Sequence, residues 1–458
     1  MSPDDFERQL RDVLHSRRLS ISPPPDALDR IHAGARRRRR RQRALTSGVA
    51  AIAVIGLAVA GVALRPTHHA GTTIADGPAS QSVTSPSTGP SAVGPTPTAA
   101  KSAPAPSSIT ALRSEGSAAT AATIPAGGPP PDGFVPISVT AVNATTFWVL
   151  GHAPCGDQTC TGIAKSTNAG KSFTEVGAPP STLVPDVRGT IDVFGVDTIS
   201  DIRFVDALNG WAFGGGLWQT TDGGDTWSFV STPGPVEKLE VASGRAWAIV
   251  FTGATTGAGP TYDVYSSSYP GGEWQKATSA GSFGPSEPAL AVQGTSAAVI
   301  GADATSGALR TVTASGNDAF TTLGSPPCSG GRGEPLSSSA TALWLACTSS
   351  NGGVSGVYFS PDFGKSWQMA SSKLAASSVA IGAVDAKSAI VAENGKLVRR
   401  TAAKSVESVK QPSVSPSTVF AFIGFTNPDI GFAIPETGGT RQLWRTADGG
   451  AQWSVVKI

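Results

Sequence analysis

One eight-residue pattern recurs through the C-terminal two-thirds of this 458-residue chain and constrains its fold more than any other feature. The pattern is S/T-x-D-x-G-x-x-W, and residues 220–227, 360–367 and 446–453 match it at all four marked positions. Residues 166–173 match it with Asn in place of Asp and Phe in place of Trp. We call each copy a box. A motif that returns along a chain predicts a fold built from repeated supersecondary units.

Three weaker copies complete the series of boxes. Residues 267–274 keep the Ser, Gly and Trp, whereas 313–320 and 401–408 are placed by spacing more than by identity. The seven boxes then begin 41 to 54 residues apart. A short apolar segment precedes each box, at 147–149, 211–213, 247–249, 298–300, 343–345, 389–391 and 432–434. Seven such pairs predict seven equivalent units.

The box has the composition of a tight turn between two strands. Its Gly supplies a positive φ angle, and its Asp and Ser or Thr side chains can form hydrogen bonds with the backbone of the turn. Its Trp begins the next strand and packs against the sheet. The residues concerned are Asp222, Gly224, Trp227, Asp362, Gly364, Trp367, Asp448, Gly450 and Trp453. We therefore interpret these Asp residues as structural and not as catalytic acids.

Each unit of about 46 residues contains about four short strand patterns and no helical periodicity. Four strands per repeat are typical of a β-propeller blade. The sequence therefore predicts an all-β domain over residues 133–458, a seven-bladed β-propeller, with six or eight blades as alternatives.

The boxes resemble the Asp-box, or bacterial neuraminidase (BNR) repeat, of sialidases, sortilin-type receptors and xyloglucan-degrading hydrolases. The longer pattern in residues 204–227, with F-x-D, G-W-A and T-T-D-G-G-x-T-W, is similar to the repeats of photosystem II assembly-factor-like propellers. This resemblance covers residues 137–458 and implies a propeller of the sialidase-superfamily type. Because one fold supports many activities, the resemblance does not imply a function.

The residues that a sialidase needs are not found at the expected places. The sialidase pattern F-R-I-P should precede the first box, but residues 134–136 read F-V-P, without the Arg. No Arg lies between Arg113 and Arg188, and three of the four Tyr residues fall within 262–269. We therefore predict no sialidase activity and no enzymatic role. A polysaccharide-cleaving glycoside hydrolase with a carboxylate pair near the propeller axis is the alternative.

Residues 44–64 form an uncharged, apolar run long enough to cross a bilayer as one helix. We predict a single-pass signal anchor. A cleaved signal peptide is the alternative, but the 43 residues before the run far exceed the usual charged region of such a peptide. Six consecutive Arg residues, 36–41, precede the run, and only Arg65 flanks its other end. Because positive charge stays in the cytoplasm, the N-terminus is predicted to be cytoplasmic and the propeller extracellular.

The regions on either side of the predicted transmembrane helix are too polar or too short to form a core. The Arg-rich tail, 1–43, has two short amphipathic helical patterns, which we expect to lie on the membrane or to bind a cytoplasmic partner. Its layout resembles the tails of actinobacterial single-pass proteins. Residues 65–132 are rich in Pro, Ser and Thr and are predicted to be a disordered linker.

Charge and histidine content exclude several classes of function. The tail has 12 Arg and 6 acidic residues, so the rest of the chain has a net charge of −4, and a generally basic nucleic-acid-binding surface is excluded. Only His152 of the five His residues lies beyond residue 69. A zinc site or a Ser-His-Asp triad in the main domain would depend on that residue. We predict no metal and no cofactor.

The four Cys residues all lie in the predicted extracellular part of the chain. An even number of Cys residues in an oxidising compartment predicts disulfides. Cys155 and Cys160 would close the loop after the strand of Trp148, and Cys328 and Cys347 would tie the exit of the fourth blade to the fifth.

These observations favour a membrane-anchored binding, scaffold or sensor module for an extracytoplasmic protein or a cell-envelope glycan. The longest connection between predicted blades is 177–200, and loops of this kind commonly contact ligands. Its candidate ligand-binding residues are Asp186, Arg188, Asp192 and Phe194. The alternative is a surface loop that packs over the edge of the first blade.

Overall fold

The chain folds into seven antiparallel sheets, which are the seven blades of an all-β propeller and confirm the predicted fold class. The computed structural model describes residues 122–184, 198–242, 244–255, 259–269, 271–316, 319–328, 333–348, 354–374 and 380–458. In each blade the strands pair in chain order, with the first strand at one edge and the last at the other.

The first three blades extend from β1 to β14. Blade one contains β1 (Val135–Ala141), β2 (Phe147–Cys155), β3 (Gln158–Ser166) and β4 (Thr174–Val176). The next connection contains the parallel pair β5 (Thr182–Leu183) and β6 (Thr198–Ile199). Blade two contains β7 (Asp201–Phe204), β8 (Gly210–Phe213), β9 (Leu217–Thr220) and β10 (Ser228–Val230). Blade three contains β11 (Val236–Ala242), β12 (Arg245–Thr255), β13 (Gly259–Ser268) and β14 (Gln275–Lys276).

The last four blades extend from β15 to β31. Blade four contains β15 (Ala289–Gln293), β16 (Ser296–Ala302), β17 (Leu309–Ser315) and β18 (Thr321–Gly324). Blade five contains β19 (Gly333–Ser338), β20 (Leu343–Thr348), β21 (Val354–Ser360) and β22 (Gln368–Leu374). Blade six contains β23 (Ile381–Ala383), β24 (Ser388–Glu393), β25 (Lys396–Thr401) and β26 (Val406–Ser408). Blade seven contains β27 (Val419–Phe425), β28 (Gly431–Thr437), β29 (Thr440–Arg441), β30 (Leu443–Thr446) and β31 (Ser454–Val456). A short 3₁₀ turn, Thr278–Ala280, precedes blade four.

The first strands of successive blades lie side by side and line the axis of the ring. They contact one another from β1 through β27 and run in the same direction, since Ser138 Oγ and Thr140 Oγ1 accept hydrogen bonds from the Ile202 and Phe204 amides. All connections between blades therefore end on one face, which we call the entry face. All boxes lie between third and fourth strands, on the opposite face.

The second strand of each blade supplies the core, as the apolar segment before each box predicts. Four of the largest fully buried side chains, Trp148, Trp211, Trp247 and Trp344, lie on second strands, and a fifth, Trp444, lies on β30 of blade seven. These rings pack between blades: that of Trp148 stacks on Phe204 of blade two with 3.9 Å between ring centroids. The interface of blades four and five instead buries aliphatic side chains, including Ile300 and Leu345. Burial of apolar side chains between blades is what stabilises the ring of sheets.

The boxes join blades as well as turning the chain. Thr220 Oγ1 accepts a hydrogen bond from the Gly224 amide at 3.0 Å, and Asp222 Oδ1 accepts one from the Thr226 amide at 2.9 Å. The Trp227 indole donates to the carbonyl oxygens of Gly224 and of Gly177, which lies in the connection from blade one. The boxes that begin at Ser166, Ser360 and Thr446 repeat the first two of these hydrogen bonds.

The ring closes by side-chain packing between blades seven and one. In blade seven β31 pairs with β30, and blade one is complete with β1 to β4, so each of these blades comes from one continuous stretch of chain. Phe147 of β2 packs on Phe432 of β28 with 4.8 Å between ring centroids, and Arg445 Nη2 donates to the Ala144 carbonyl at 2.9 Å. Closure therefore depends on an apolar interface.

Residues 122–128, which we predict to belong to the linker, lie against the outer edge of blade one. The Ile124 amide donates to the Thr161 carbonyl at 2.8 Å, and the Gly127 amide donates to the Glu175 carbonyl at 2.9 Å. An edge strand offers unpaired backbone groups, and this segment satisfies those of β4.

Several sequence predictions concern other parts of the chain. The predicted cytoplasmic tail 1–43, the predicted transmembrane helix 44–64 and the predicted linker up to residue 121 lie outside the described residues. Within the described ranges, no helix is both long and apolar enough to cross a membrane.

Both predicted disulfides are present. Cys155–Cys160 closes the turn between β2 and β3, and Cys328–Cys347 ties the segment after β18 to β20. The second bond links blades four and five, which neighbour each other in the ring, and thus adds a covalent connection between blades.

Candidate functional site: the charged rim

Six charged residues lie on or next to the first strands of blades two, three and four. We call them the charged rim, and they are Asp201, Arg203, Glu237, Lys238, Glu240 and Glu287. Asp201, Glu237, Lys238 and Glu287 lie at or next to the entry-face ends of these strands. Arg203 and Glu240 lie further along them, towards the opposite face. Four carboxyl groups against two cations give the charged rim a net charge of −2 when all are ionised.

A glycine-rich hairpin in blade two brings these strands together. The Gly214 and Gly215 amides both donate to the Val236 carbonyl, and the Ser200 amide donates to the Phe213 carbonyl. Gly214 has a φ of 111°, and a Cβ at this position would collide with Ser200. Because a residue with a side chain would hold the chains apart, glycine here sets the spacing between the starts of β7 and β11.

Ion pairs run from blade to blade along the charged rim. Arg203 Nη2 lies 2.7 Å from Glu240 Oε1, and Lys238 Nζ lies 2.7 Å from Glu287 Oε1. Ser138 of blade one donates a short hydrogen bond to Asp201. These side chains are 20% to 39% exposed where ion-paired, so each pair contributes modestly to stability, about 0.2 to 1 kcal/mol. They remain within reach of a ligand.

Glu237 differs from the other carboxyl groups of the charged rim. It occupies a β-bulge, because the pairing of β11 with β12 shifts between Val236 and Lys238. Among the described residues it has no hydrogen-bond or ion-pair partner. Burial, and then the negative charge of Glu287, raise the pKa of Glu237 to about 7, against the opposing effect of Lys238. A β-bulge changes the direction in which a side chain points, and the Glu237 carboxyl group is therefore available to a ligand.

Burial and neighbouring charges together shift the pKa values of both Arg203 and Glu240 upwards. Burial alone lowers the pKa of Arg203, but Glu240 and Asp201 outweigh it and leave the pKa raised. Burial also raises the pKa of Glu240, as does Asp201, whereas Arg203 opposes this. The charged rim is thus a half-buried network with an excess of negative charge.

The four ligand-binding residues predicted in the longest connection, Asp186, Arg188, Asp192 and Phe194, lie outside the described residues. The described ends of that connection are held together by the parallel pairing of β5 with β6. Its last residue, Ser200, directly precedes Asp201 of the charged rim. The connection therefore returns to the candidate site.

The charged rim is not among the site residues predicted from the sequence, although the sequence contains one signal for it. In the segment 236–241, V-E-K-L-E-V, charged residues occupy a first strand, where the other blades have mostly small or apolar residues. A charged innermost strand is unusual because it lines the axis, so such a segment in a predicted propeller indicates a candidate site.

A second, uncharged cleft lies on the entry face at blades six and seven. It has a volume of about 310 Å³. Its lining residues are Ser413, Val414, Ser415, Pro435, Thr437, Thr440, Gln442 and Trp444. Trp444 is almost fully buried and donates its indole N–H to Gln442 at 3.0 Å, so its ring is not free to stack on a sugar. The cleft offers hydroxyl and amide groups to a neutral ligand.

No group of three or more His, Cys, Asp or Glu side chains within the described part of the chain is arranged to hold a metal ion. No protein-family model and no curated protein sequence matches this chain.

The propeller is similar to several solved structures. The photosystem II assembly factor YCF48 bound to a D1 peptide is 16% identical with a TM-score of 0.43, over 71% of this chain and 99% of that chain. The β-propeller domain of the Trilobed protease from Pyrococcus furiosus is 9% identical with a TM-score of 0.46, over 71% and 98%. A GH74 enzyme from Niastella koreensis is 13% identical with a TM-score of 0.26, over 70% and 71%. At these identities the similarity concerns the fold and not the function.

Proposed function

We propose that this chain is a membrane-anchored, extracytoplasmic binding module whose charged rim holds a basic side chain of a protein ligand. The observation that carries the proposal is Glu237, a half-buried carboxyl group at a β-bulge beside a net negative network, without a partner among the described residues. A lysine or arginine side chain would supply the missing countercharge, and hydrogen bonds to charged groups are among the stronger polar contacts.

The rest of the proposal follows from the sequence. Residues 44–64 anchor the chain as a single-pass helix, the tail 1–43 faces a cytoplasmic partner, and the linker 65–132 acts as a flexible spacer. Asp186, Arg188, Asp192 and Phe194 extend the binding surface from the connection that ends at the charged rim. In this arrangement the propeller serves as a scaffold or a sensor, and a neutral cell-envelope glycan is a further ligand that the uncharged cleft suits.

The alternative function is a glycoside hydrolase, and one observation favours it. A pKa of about 7 lets Glu237 donate a proton at neutral pH, and a general acid needs this property. Its neighbour Glu287 is engaged by Lys238 at 2.7 Å, so the second carboxylate is already neutralised by an ion pair. Binding is therefore the function that the geometry supports better.

The experiment compares synthetic peptides that carry one central Arg or Lys with matched peptides that carry norleucine, using the full chain in neutral detergent at pH 8. The wild type should bind the basic peptides selectively, and Glu237→Gln should weaken this binding roughly tenfold. Glu273→Gln is the matched control, because Glu273 is an exposed carboxylate in the same blade but in the box turn. Equal binding of basic and norleucine peptides would contradict the proposal.

The same preparation distinguishes the alternative function. Incubation with an array of cell-wall polysaccharides should release no reducing sugar. Release that Glu237→Gln abolishes and Glu273→Gln leaves unchanged would establish a hydrolase instead.

A further inference from the structure

Glu175, in the outermost strand of blade one, is buried where the equivalent residues of other blades are exposed. It lies two residues after the aromatic position of its box, as do Phe229, Met369 and Val455, which are 41% to 44% exposed. Glu175 is 1% exposed, and neither carboxylate oxygen has a hydrogen-bond partner of good geometry among the described residues. A buried carboxyl group without a partner is costly, so its position requires an explanation.

The segment 122–128 covers this carboxyl group. Four backbone hydrogen bonds of 2.8 to 3.0 Å attach the segment to blade one. Two join Ala122 and Ile124 to Thr161 on β3, and two join Gly127 and Gly128 to Glu175 on β4. The Ile124 side chain and the Glu175 carboxylate both lie over Gly162. A Cβ atom added to Gly162 would contact both of them. Removing the segment would expose both the carboxyl group and the backbone edge of β4.

No ionised group compensates for the burial. The segment 122–128 has no ionisable side chain, and neither does β1. The ionisable residues of the neighbouring strands are Lys165 on β3, whose ammonium group lies over the Trp148 ring, and His152 on β2. Burial, and then Arg441, lower the pKa of His152. Neither Lys165 nor His152 acts on Glu175 through its charge.

The energetic consequence is a preference for the neutral acid. Burial raises the pKa of Glu175 to about 7, and the Ile163 amide opposes this only in part. When the segment is detached the carboxyl group faces water and its pKa returns to about 4.5. The attached state therefore binds a proton more tightly than the detached state. Attachment is strongest below pH 4.5, weakens as the pH rises from 4.5 to 7 and levels off above 7.

We propose that residues 122–128 are a proton-linked latch, closed on blade one over a neutral Glu175 and released when that carboxyl group ionises in water. The latch lies where the predicted linker joins the propeller. Its release lengthens the linker and uncovers the edge of β4, so the position of the propeller and the access to its edge become sensitive to the pH of the medium.

Hydrogen exchange of the full chain in neutral detergent tests the latch. The protection factors of the Ile124, Gly127 and Glu175 amides, corrected for intrinsic exchange at each pH, report the closing equilibrium. With pKa values of 4.5 and about 7, protection should fall about 70-fold from pH 5 to pH 8. The control is the Trp453 amide, which bonds the Lys410 carbonyl in a similar contact between a connection and an outer strand of blade seven.

Two variants separate proton linkage from simple fraying. Glu175→Gln keeps a neutral side chain of the same shape, so its protection should not change with pH. Ile124→Ala uncovers the carboxyl group and should lower protection at pH 5 towards the value at pH 8. Wild-type protection that stays constant from pH 5 to pH 8, or that falls in parallel with that of Trp453 or of Glu175→Gln, would overturn the proposal. If a variant does not fold, the wild-type protection factors from pH 5 to pH 8, compared with those of the Trp453 amide, still test the proposal.

Discussion

Replacing Asp222 in the second box tests the interpretation of the boxes as folding elements. Its carboxylate accepts hydrogen bonds from the Thr226 amide at 2.9 Å, the Thr226 hydroxyl at 2.5 Å and the Thr220 hydroxyl at 2.7 Å. Asp222→Ala removes all three and leaves the turn amide without its partner. The variant should therefore lower stability without changing ligand binding, because the boxes lie on the face opposite the Glu237 end of β11.

The magnitude follows from the pKa of Asp222. Burial raises the pKa, but the hydrogen bonds from Thr226, Thr220 and the Asp225 backbone together outweigh this and lower the pKa from 3.8 to about 2. A shift of this size corresponds to at most ~2.5 kcal/mol. Because the group is largely accessible to water, we expect about 1 to 1.5 kcal/mol after screening. For a propeller of this length the melting temperature should fall by about 2 °C.

The assay is thermal unfolding of the full chain in detergent, followed by tryptophan fluorescence at several pH values. Asp225→Ala is the matched control, since Asp225 lies in the same turn, is exposed and has no side-chain hydrogen bond to the box. A lowered folded-state pKa gives stability that is complete above pH 4 and is lost as the pH falls towards 2, so the two variants should converge there. Equal destabilisation by both variants at pH 7 would refute the reasoning.

Two further predictions concern the closure of the ring. Phe432→Ala removes a buried ring from the interface of blades seven and one and should lower the free energy of unfolding by about 3 to 5 kcal/mol. Phe229→Ala, on an exposed outer strand, should lower it by less than about 1 kcal/mol. Similar losses in the two variants would mean that packing at this interface does not hold the ring. Replacing Cys328 and Cys347 together with Ser should lower the free energy of unfolding by about 3 kcal/mol, because the bond closes a loop of 19 residues, and unchanged urea denaturation would contradict this.

The number of blades was predictable because each blade carries its own local signals. A box and an apolar second strand return in every unit, and the structure has one blade of four or five strands at each of them. The disulfides were predictable for a related reason, because four Cys residues in a compartment predicted to be oxidising leave few pairings.

The candidate site was not predictable in the same way, because it is assembled from distant parts of the chain. Asp201 and Glu287 belong to blades two and four. They reach one rim only because the first strand of blade three, β11, lies beside both β7 and β15. The burial of Glu175 was not predictable from the sequence for a different reason. Its burial depends on residues 122–128, whose composition is that of a linker and whose attachment uses backbone groups, which leave no mark in the sequence.

The most direct test of the account is the affinity of the full chain for a peptide with one central Arg, measured from pH 6 to pH 8.5 for the wild type and Glu237→Gln. Burial and Glu287 place the pKa of Glu237 at about 7, so the wild type should bind more tightly as the pH rises through 7 and the carboxyl group ionises. Glu237→Gln should bind weakly, with little change across this range. Parallel pH profiles for the two proteins would contradict the claim that Glu237 in the charged rim binds the basic side chain.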